Sequence, residues 1–272
     1  MVVQHNMQAV NTNRMLGANV KAVARATEKL SSGYAVNRAA DDAAGLSISE
    51  KMRNQIRGLN QAVKNSEDGV SLIQTAEGNM NEIHSILQRM GELANKAAND
   101  VNATEDRDAI QKEMNELHDE IDSISKKAAF NGTKLLNGDF KSKNLQVGAN
   151  AGENMSITIA TMNTTKLALT SSDIGVSNHA NASAAMSKIT AAIKTVSDAR
   201  SALGAKQNRL EYTINNLENY SENLTSAESQ IRDTDMASEM TNYTKNNILQ
   251  QAAQSMLAQA NQSTQGVLSL LG

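Results

Sequence analysis

The sequence predicts a mainly α protein: an elongated antiparallel helical bundle, coiled-coil-like, with a small β-hairpin module and paired N- and C-terminal helices. Three observations predict it. The 272 residues contain no proline, so no helix need be interrupted by a missing amide donor or a ring clash. Aromatic residues make up 2% of a chain that is 40% hydrophobic, so the core must be built from Leu, Ile, Val, Met and Ala, most of them good helix formers. Apolar residues also recur at three- and four-residue steps over long stretches, the pattern of an amphipathic helix.

The elements follow in order along the chain. Val10, Asn13, Leu16, Val20, Val23, Thr27 and Leu30 keep a three-four rhythm and predict an N-terminal helix. Met52, Ile56, Leu59, Val63, Val70, Ile73, Met80, Ile83, Leu87, Met90, Ala94 and Ala97 draw one stripe along a helix of about 45–98, bounded by Gly45 and by Asn99-Asp100. At about 1.5 Å per residue such a helix spans roughly 80 Å. Ile110, Met114, Leu117, Ile121, Ile124 and Ala128 mark a second long helix over about 104–129. Thr104 is its expected cap, with Glu105 and Asp106 favouring the positive end.

Between about 130 and 182 the chemistry changes. Asn131-Gly132 and Asn137-Gly138 are turn dipeptides, while Leu145/Val147 and Met155/Ile157/Ile159 alternate as short half-buried strands. The run from Gly148 to Gly152 joins them as a hairpin turn, and the polar stretch from Asn163 to Ala182 reads as loop. A third long helix, about 185–231, carries Ile189, Ile193, Val196, Leu203, Leu210, Ile214, Leu217, Leu224 and Ile231 in heptad register, with polar residues at the skipped positions. The last stripe is Ile248, Leu249, Ala252, Ala253, Met256, Leu257 and Ala260, followed by Val267-Leu268-Ser269-Leu270-Leu271.

Three long amphipathic helices with a sustained 3.5-residue period bury their seams by packing at shallow angles, hence the bundle. A lone terminal helix is marginal in water, because most helix stability comes from burying the apolar face. The two ends therefore need each other, the bundle, or another molecule.

Composition excludes several function classes. No Cys means no disulfide, no zinc-thiolate site and no cysteine nucleophile. A net charge of −3 provides no field for gripping phosphate backbones, so nucleic acid is not an expected partner. No stretch reaches the roughly 18 apolar residues of a membrane span, and the N-terminus has neither the basic region nor the apolar run of a cleavable secretory peptide. The four histidines, His5, His84, His118 and His179, stand singly with no metal-ligand spacing. His118-Asp119-Glu120 point in different directions on a helix and cannot converge on one ion. Asp41-Asp42 reads as charges at a helix start, with nothing opposite to complete an acid-base pair. No catalytic, cofactor or metal site is expected. Arg14, Lys21, Arg25 and Lys29 raise the alternative of a peripheral membrane-binding bundle, but that basic face is sparse and lacks an aromatic anchor.

Specific words of the sequence carry a family resemblance. At the N-terminal end these are Glu28-Lys29-Leu30-Ser31-Ser32-Gly33, Asn37-Arg38-Ala39-Ala40-Asp41-Asp42-Ala43-Ala44-Gly45-Leu46, Gln55-Ile56-Arg57-Gly58-Leu59 and Asp68-Gly69-Val70-Ser71-Leu72-Ile73-Gln74-Thr75-Ala76-Glu77-Gly78. At the other end they are Leu203-Gly204-Ala205, Gln207-Asn208-Arg209-Leu210 and Ile231-Arg232-Asp233-Thr234-Asp235-Met236-Ala237. With them the sequence resembles bacterial flagellin over nearly its whole length, in a minimal form without the outer variable domains.

The resemblance implies a secreted structural subunit, not an enzyme, that polymerises into the extracellular flagellar filament for motility. Residues 1–43 and 232–272 would form the inner-tube terminal domain and 44–231 the surrounding rod domain. The subunit-packing residues it implies are Val10, Leu16, Val20, Val23, Leu30, Ile248, Leu249, Met256, Leu257, Leu268 and Leu271. Implied partners are identical subunits, a flagellar export chaperone, the filament cap and hook-filament junction proteins. The same resemblance implies a host Toll-like receptor as a partner, with Arg89, Leu93 and Glu113 as candidate contacts; the sequence departs from the family at Gly91, where Arg is usual. The same-class alternative is a hook-filament junction protein, which shares the terminal helices.

Overall fold

The structure, a computed structural model, describes residues 6–271, with side chains described through residue 263. Its helices are α1 (Met7–Ser32), α2 (Ala43–Ala97), α3 (Thr104–Lys127), α4 (His179–Arg232) and α5 (Met236–Leu271). Four short strands lie between α3 and α4: β1 (Ala129–Phe130), β2 (Thr133–Lys134), β3 (Lys143–Gln146) and β4 (Asn154–Ile157), paired antiparallel as β1-β2 and β3-β4. The chain divides into two compact units, one holding residues 56–221 and the other the two ends, up to Gln55 and from Glu222 onward.

Within residues 56–221, the segments of α2 and α4 run antiparallel, as the contacts of Glu77 with Arg200 and of Asn60 with Ser221 show. Their seam obeys the predicted heptad. Ile73, Ala76, Met80, Ile83, Leu87, Met90, Ala94 and Ala97 alternate three-four along α2 and are all fully buried. Ile110, Met114 and Ile121 of α3 and Ala182, Ala185, Ile189, Ala192 and Val196 of α4 close the same core. Beyond Val196 only one position per heptad remains buried, at Leu203, Leu210 and Leu217. There α3 has ended and the β3-β4 hairpin lies beside α2 and α4 instead, with Lys206 donating to the Ser156 carbonyl; at the skipped positions of α4, Arg200 pairs with Glu77 and Ser221 meets Asn60, both on α2.

Two mid-helix glycines admit that hairpin. A Cβ on Gly58 would stand 3.0 Å from the Cβ of Ala149, and one on Gly69 would collide with the side chain of Leu145. Both positions cost local helix stability and return it as close packing of the hairpin on α2.

The structure corrects several local expectations. Thr104 is the first residue of α3 rather than its cap; Ala103 holds that place, and the Asp106 carboxylate accepts from the Ala103 N–H at 3.2 Å. The third long helix starts at His179 rather than near 185, because Asn178 caps it by accepting from the Asn181 N–H at 2.7 Å. The single predicted hairpin is two. Asn131 and Gly132, with φ of 47° and 77°, turn β1 into β2, as an Asn-Gly pair with both residues at positive φ does.

The stretch after Met162 is also more than a surface loop. Leu167, Leu169, Ile174 and Val176 are buried, and three α3 side chains fasten the strap they belong to. Gln111 donates to the Ile174 carbonyl and accepts from the Val176 N–H, His118 meets the Leu169 carbonyl at 2.9 Å, and Asp122 accepts from both the N–H and the hydroxyl of Thr164. Its apolar residues follow neither a helical nor a strand period, which hid them from sequence reading.

Candidate functional site

The two chain ends meet at a junction built by the longest sequence words. Gly33 ends α1 in the left-handed conformation, φ 76°, and its N–H returns to the Lys29 carbonyl at 2.9 Å. A short antiparallel bridge then ties Tyr34 to Asp233: the Ala35 N–H donates to the Arg232 carbonyl at 2.7 Å and the Thr234 N–H to the Gly33 carbonyl at 2.9 Å. The Arg232 guanidinium lies 4.6 Å above the Tyr34 ring and 2.7 Å from the Glu50 carboxylate. That hydrogen bond from Arg232, more than the nearby Arg53, holds the Glu50 carboxyl below its usual range.

Asp41 and Asp42 are committed to backbone amides here. Asp41 accepts from the N–H groups of Arg38 and Asn37, which lowers its pKa. Asp42 accepts from Ala44 and Gly45 at 3.0 and 2.9 Å and so caps α2. Arg38 grips Glu28 through two hydrogen bonds, 2.8 and 3.0 Å. Each of these groups ties down the segment that joins α1 to α2.

From the junction α1 and α5 run side by side and antiparallel, closed at the far end by the Asn6 side chain donating to the Ala260 carbonyl at 2.9 Å. Their facing residues keep a strict three-four alternation. On α1 the seam is Ala9, Thr12, Leu16, Asn19, Val23, Ala26 and Leu30; on α5 it is Glu239, Tyr243, Asn246, Gln250, Ala253, Leu257 and Ala260. All are half-buried except Ala26 and Ala260, which are buried.

The pair leaves many of its large apolar side chains outside the seam. Polar and small residues occupy much of the seam, whereas Met7, Val10, Met15 and Val20 on α1 and Met236, Met240, Ile248, Leu249 and Met256 on α5 are exposed. A helix pair stable in isolation would place its largest apolar side chains at the seam positions.

Of the packing residues proposed from sequence, Leu16, Val23, Leu30 and Leu257 lie on the seam, half-buried. Val10 is 62% exposed, Ile248 60% and Met256 61%, with Val20 and Leu249 exposed as well. Leu268 and Leu271 fall outside the described side chains. The sequence stripe thus shares every other heptad position with the seam and departs at the rest. Ala9, Asn19 and Ala26 are too small or too polar to be picked from hydrophobicity, whereas Val10 and Val20 beside them are exposed.

Arg89, Leu93 and Glu113 come together at a groove of about 520 Å³ between α2 and α3. Arg89 reaches across to Glu113 through Nε and Nη2, at 3.0 and 2.9 Å, and also pairs with Glu92 at 3.1 Å. Leu93 forms the floor and is 3% exposed. Gly91 faces elsewhere: a Cβ there would meet Ile189 of α4 at 3.8 Å. Among the described residues no group of three His, Cys, Asp or Glu is placed to hold a metal ion, and no helix is long and apolar enough to cross a membrane.

The chain is similar to known proteins in sequence and in fold. Residues 3–141 match the bacterial flagellin N-terminal helical region and residues 186–271 the bacterial flagellin C-terminal helical region. A flagellin of Halalkalibacterium halodurans is 53% identical over 273 aligned positions, covering the whole of both chains. A flagellin of Bacillus subtilis is 49% identical, again across the whole of both. The crystal structure of Bacillus cereus flagellin superposes with a TM-score of 0.51 at 32% identity, covering 57% of this chain and 88% of that one. By both family regions and by full-length identity, the chain belongs to the bacterial flagellin family.

Proposed function

We propose that this flagellin, a structural subunit of the bacterial flagellar filament, polymerises by burying the outward apolar face of its α1/α5 pair against identical subunits. The observation that carries the reading is the set of large apolar side chains that the pair leaves exposed. Fully burying one Val, Leu, Ile or Met side chain contributes about 1.5–3 kcal/mol, and the seam offers few places to do so inside one subunit. Helical symmetry repeats each such contact at every subunit. In this reading residues 1–43 and 232–272 form the inner tube and 44–231 the surrounding rod. Val10, Leu16, Val20, Val23, Leu30, Ile248, Leu249, Met256, Leu257, Leu268 and Leu271 pack within and between subunits.

The same reading places the chain outside the cell, in a structural and not a catalytic role. The export chaperone would cover the C-terminal apolar face before assembly, and the filament cap and junction proteins would contact it at the two filament ends. A host Toll-like receptor would meet Arg89 and Glu113 at the rim of the α2/α3 groove, with Leu93 beneath. Support for that contact is the convergence of all three residues on one accessible groove.

Deleting residues 1–35 or 236–272 tests the assembly reading. Circular dichroism should retain the helix of residues 56–221, and sedimentation should detect no polymer. Filaments of normal stability from either truncated chain would overturn it.

A further inference from the structure

Methionine exposure differs between the α1/α5 pair and the 56–221 core, with Met52 and Met186 half-buried between the extremes. In residues 56–221, Met80, Met90, Met114 and Met162 are fully buried. On the terminal pair the opposite holds: Met7 is 70% exposed, Met15 52%, Met236 48%, Met240 50% and Met256 61%. Leu would supply the same apolar contact in a polymer without an oxidisable sulfur. We propose that these five thioethers are a modification site, through which hydroperoxides oxidise the free subunit and block its assembly, while polymerisation protects them. The inference rests on the reading that the outward face of the α1/α5 pair is buried between subunits.

The chemistry closes without a further reagent. A sulfur lone pair attacks the protonated oxygen of the hydroperoxide, the S–O bond forms as the O–O bond breaks, and the departing hydroxide or alkoxide takes up the proton that the transferred oxygen loses, leaving water or an alcohol. Sulfur loses two electrons and the peroxide gains them. The product is a polar, chiral sulfoxide in place of a flexible apolar side chain. Burying that S=O group without a donor is unfavourable, and subunit symmetry repeats the penalty. Oxidation rate follows exposure, so the fully buried sulfurs of Met80, Met90, Met114 and Met162 are spared.

The test treats purified monomer and preformed polymer with hydrogen peroxide and maps oxidation by peptide mass spectrometry. In the monomer the five terminal-pair methionines should oxidise roughly tenfold or more faster than the four buried ones; in the polymer they should be protected. Oxidised monomer should need at least about tenfold more protein to polymerise, consistent with a polar group forced into an apolar contact. A variant with all five changed to Leu should polymerise after peroxide as well as before. Single changes Met7→Gln and Met256→Gln, polar side chains of similar length, should each raise the critical concentration without peroxide. Oxidised monomer that assembles at the normal concentration, or a Leu variant still blocked by peroxide, would overturn the proposal and leave the contact reading standing. Equal oxidation of the five in polymer and monomer would overturn the contact reading itself.

Discussion

Glycines separate two roles that one residue type can play inside a helix. Gly78 has no heavy atom within 4 Å of a built Cβ, whereas Gly58 would place its Cβ 3.0 Å from the Ala149 Cβ and 3.3 Å from the Ala149 Cα. Gly78→Ala should therefore stabilise the fold by about 0.5–1 kcal/mol, the usual gain of removing a helix glycine. Gly58→Ala should destabilise it, since the hairpin backbone must retreat. Thermal unfolding of both variants checks the contrast. Asp122 carries a pH dependence of known sign. Burial pushes its carboxyl up, but the Thr164 hydrogen bonds, with Lys126 and His118 nearby, outweigh that and leave it below its ordinary range. A lowered folded-state pKa means stability that is present above the unfolded value and lost as pH falls through the folded one, here below about pH 4. Asp122→Ala should cost about 1–3 kcal/mol at neutral pH and flatten the acid dependence, with hydrogen exchange across 160–178 reporting the loosened strap. None of this was legible in the sequence, because a hydrogen bond from position 122 to position 164 leaves no local pattern.

At the scale of elements, the α1/α5 pair offers two substitutions with one outcome and different causes. Leu257 sits half-buried on the seam and Ile248 is 60% exposed. Leu257→Asp should block assembly by parting the pair, losing roughly 2 kcal/mol of apolar burial and lowering the helix content of the free subunit. Ile248→Asp should raise the critical concentration as strongly while helix content stays unchanged. Equal helix loss in both would show that Ile248 is a seam residue. The long helices were legible because a proline-free three-four pattern survives any tertiary context, and the buried run from Ile73 to Ala97 keeps it without a slip. The terminal seam was half legible: Leu16, Val23, Leu30 and Leu257 announce themselves, while Asn19, Asn246 and Gln250 carry no hydrophobic signal. Starts of helices were the weakest reading, since α3 is capped by the side chain of Asp106, three residues inside it, and α4 by Asn178.

For the whole molecule, the contrast between the units predicts how the free subunit yields to protease. The 56–221 unit has a continuous core from Ile73 to Leu210, whereas the terminal pair buries few large side chains. Limited proteolysis of monomer should trim both ends first and leave a resistant fragment of about 45–230, because local opening is easiest where few apolar contacts oppose it. Resistance spread evenly along the chain would mean that the ends are already held within one subunit. The family was legible from residues that the structure now explains physically: Gly33, Asp41, Asp42 and Arg232 build the junction, and Gly58 and Gly69 seat the hairpin. The outward face was not legible as such, because periodicity shows that a helix has an apolar side without showing what covers it. The most direct test of that face is a cryo-EM helical reconstruction of filaments polymerised from this protein. Met7, Val10, Ile248 and Met256 should be enclosed by neighbouring subunits, and density in which those side chains line open solvent while subunits touch only through residues 56–221 would contradict the account.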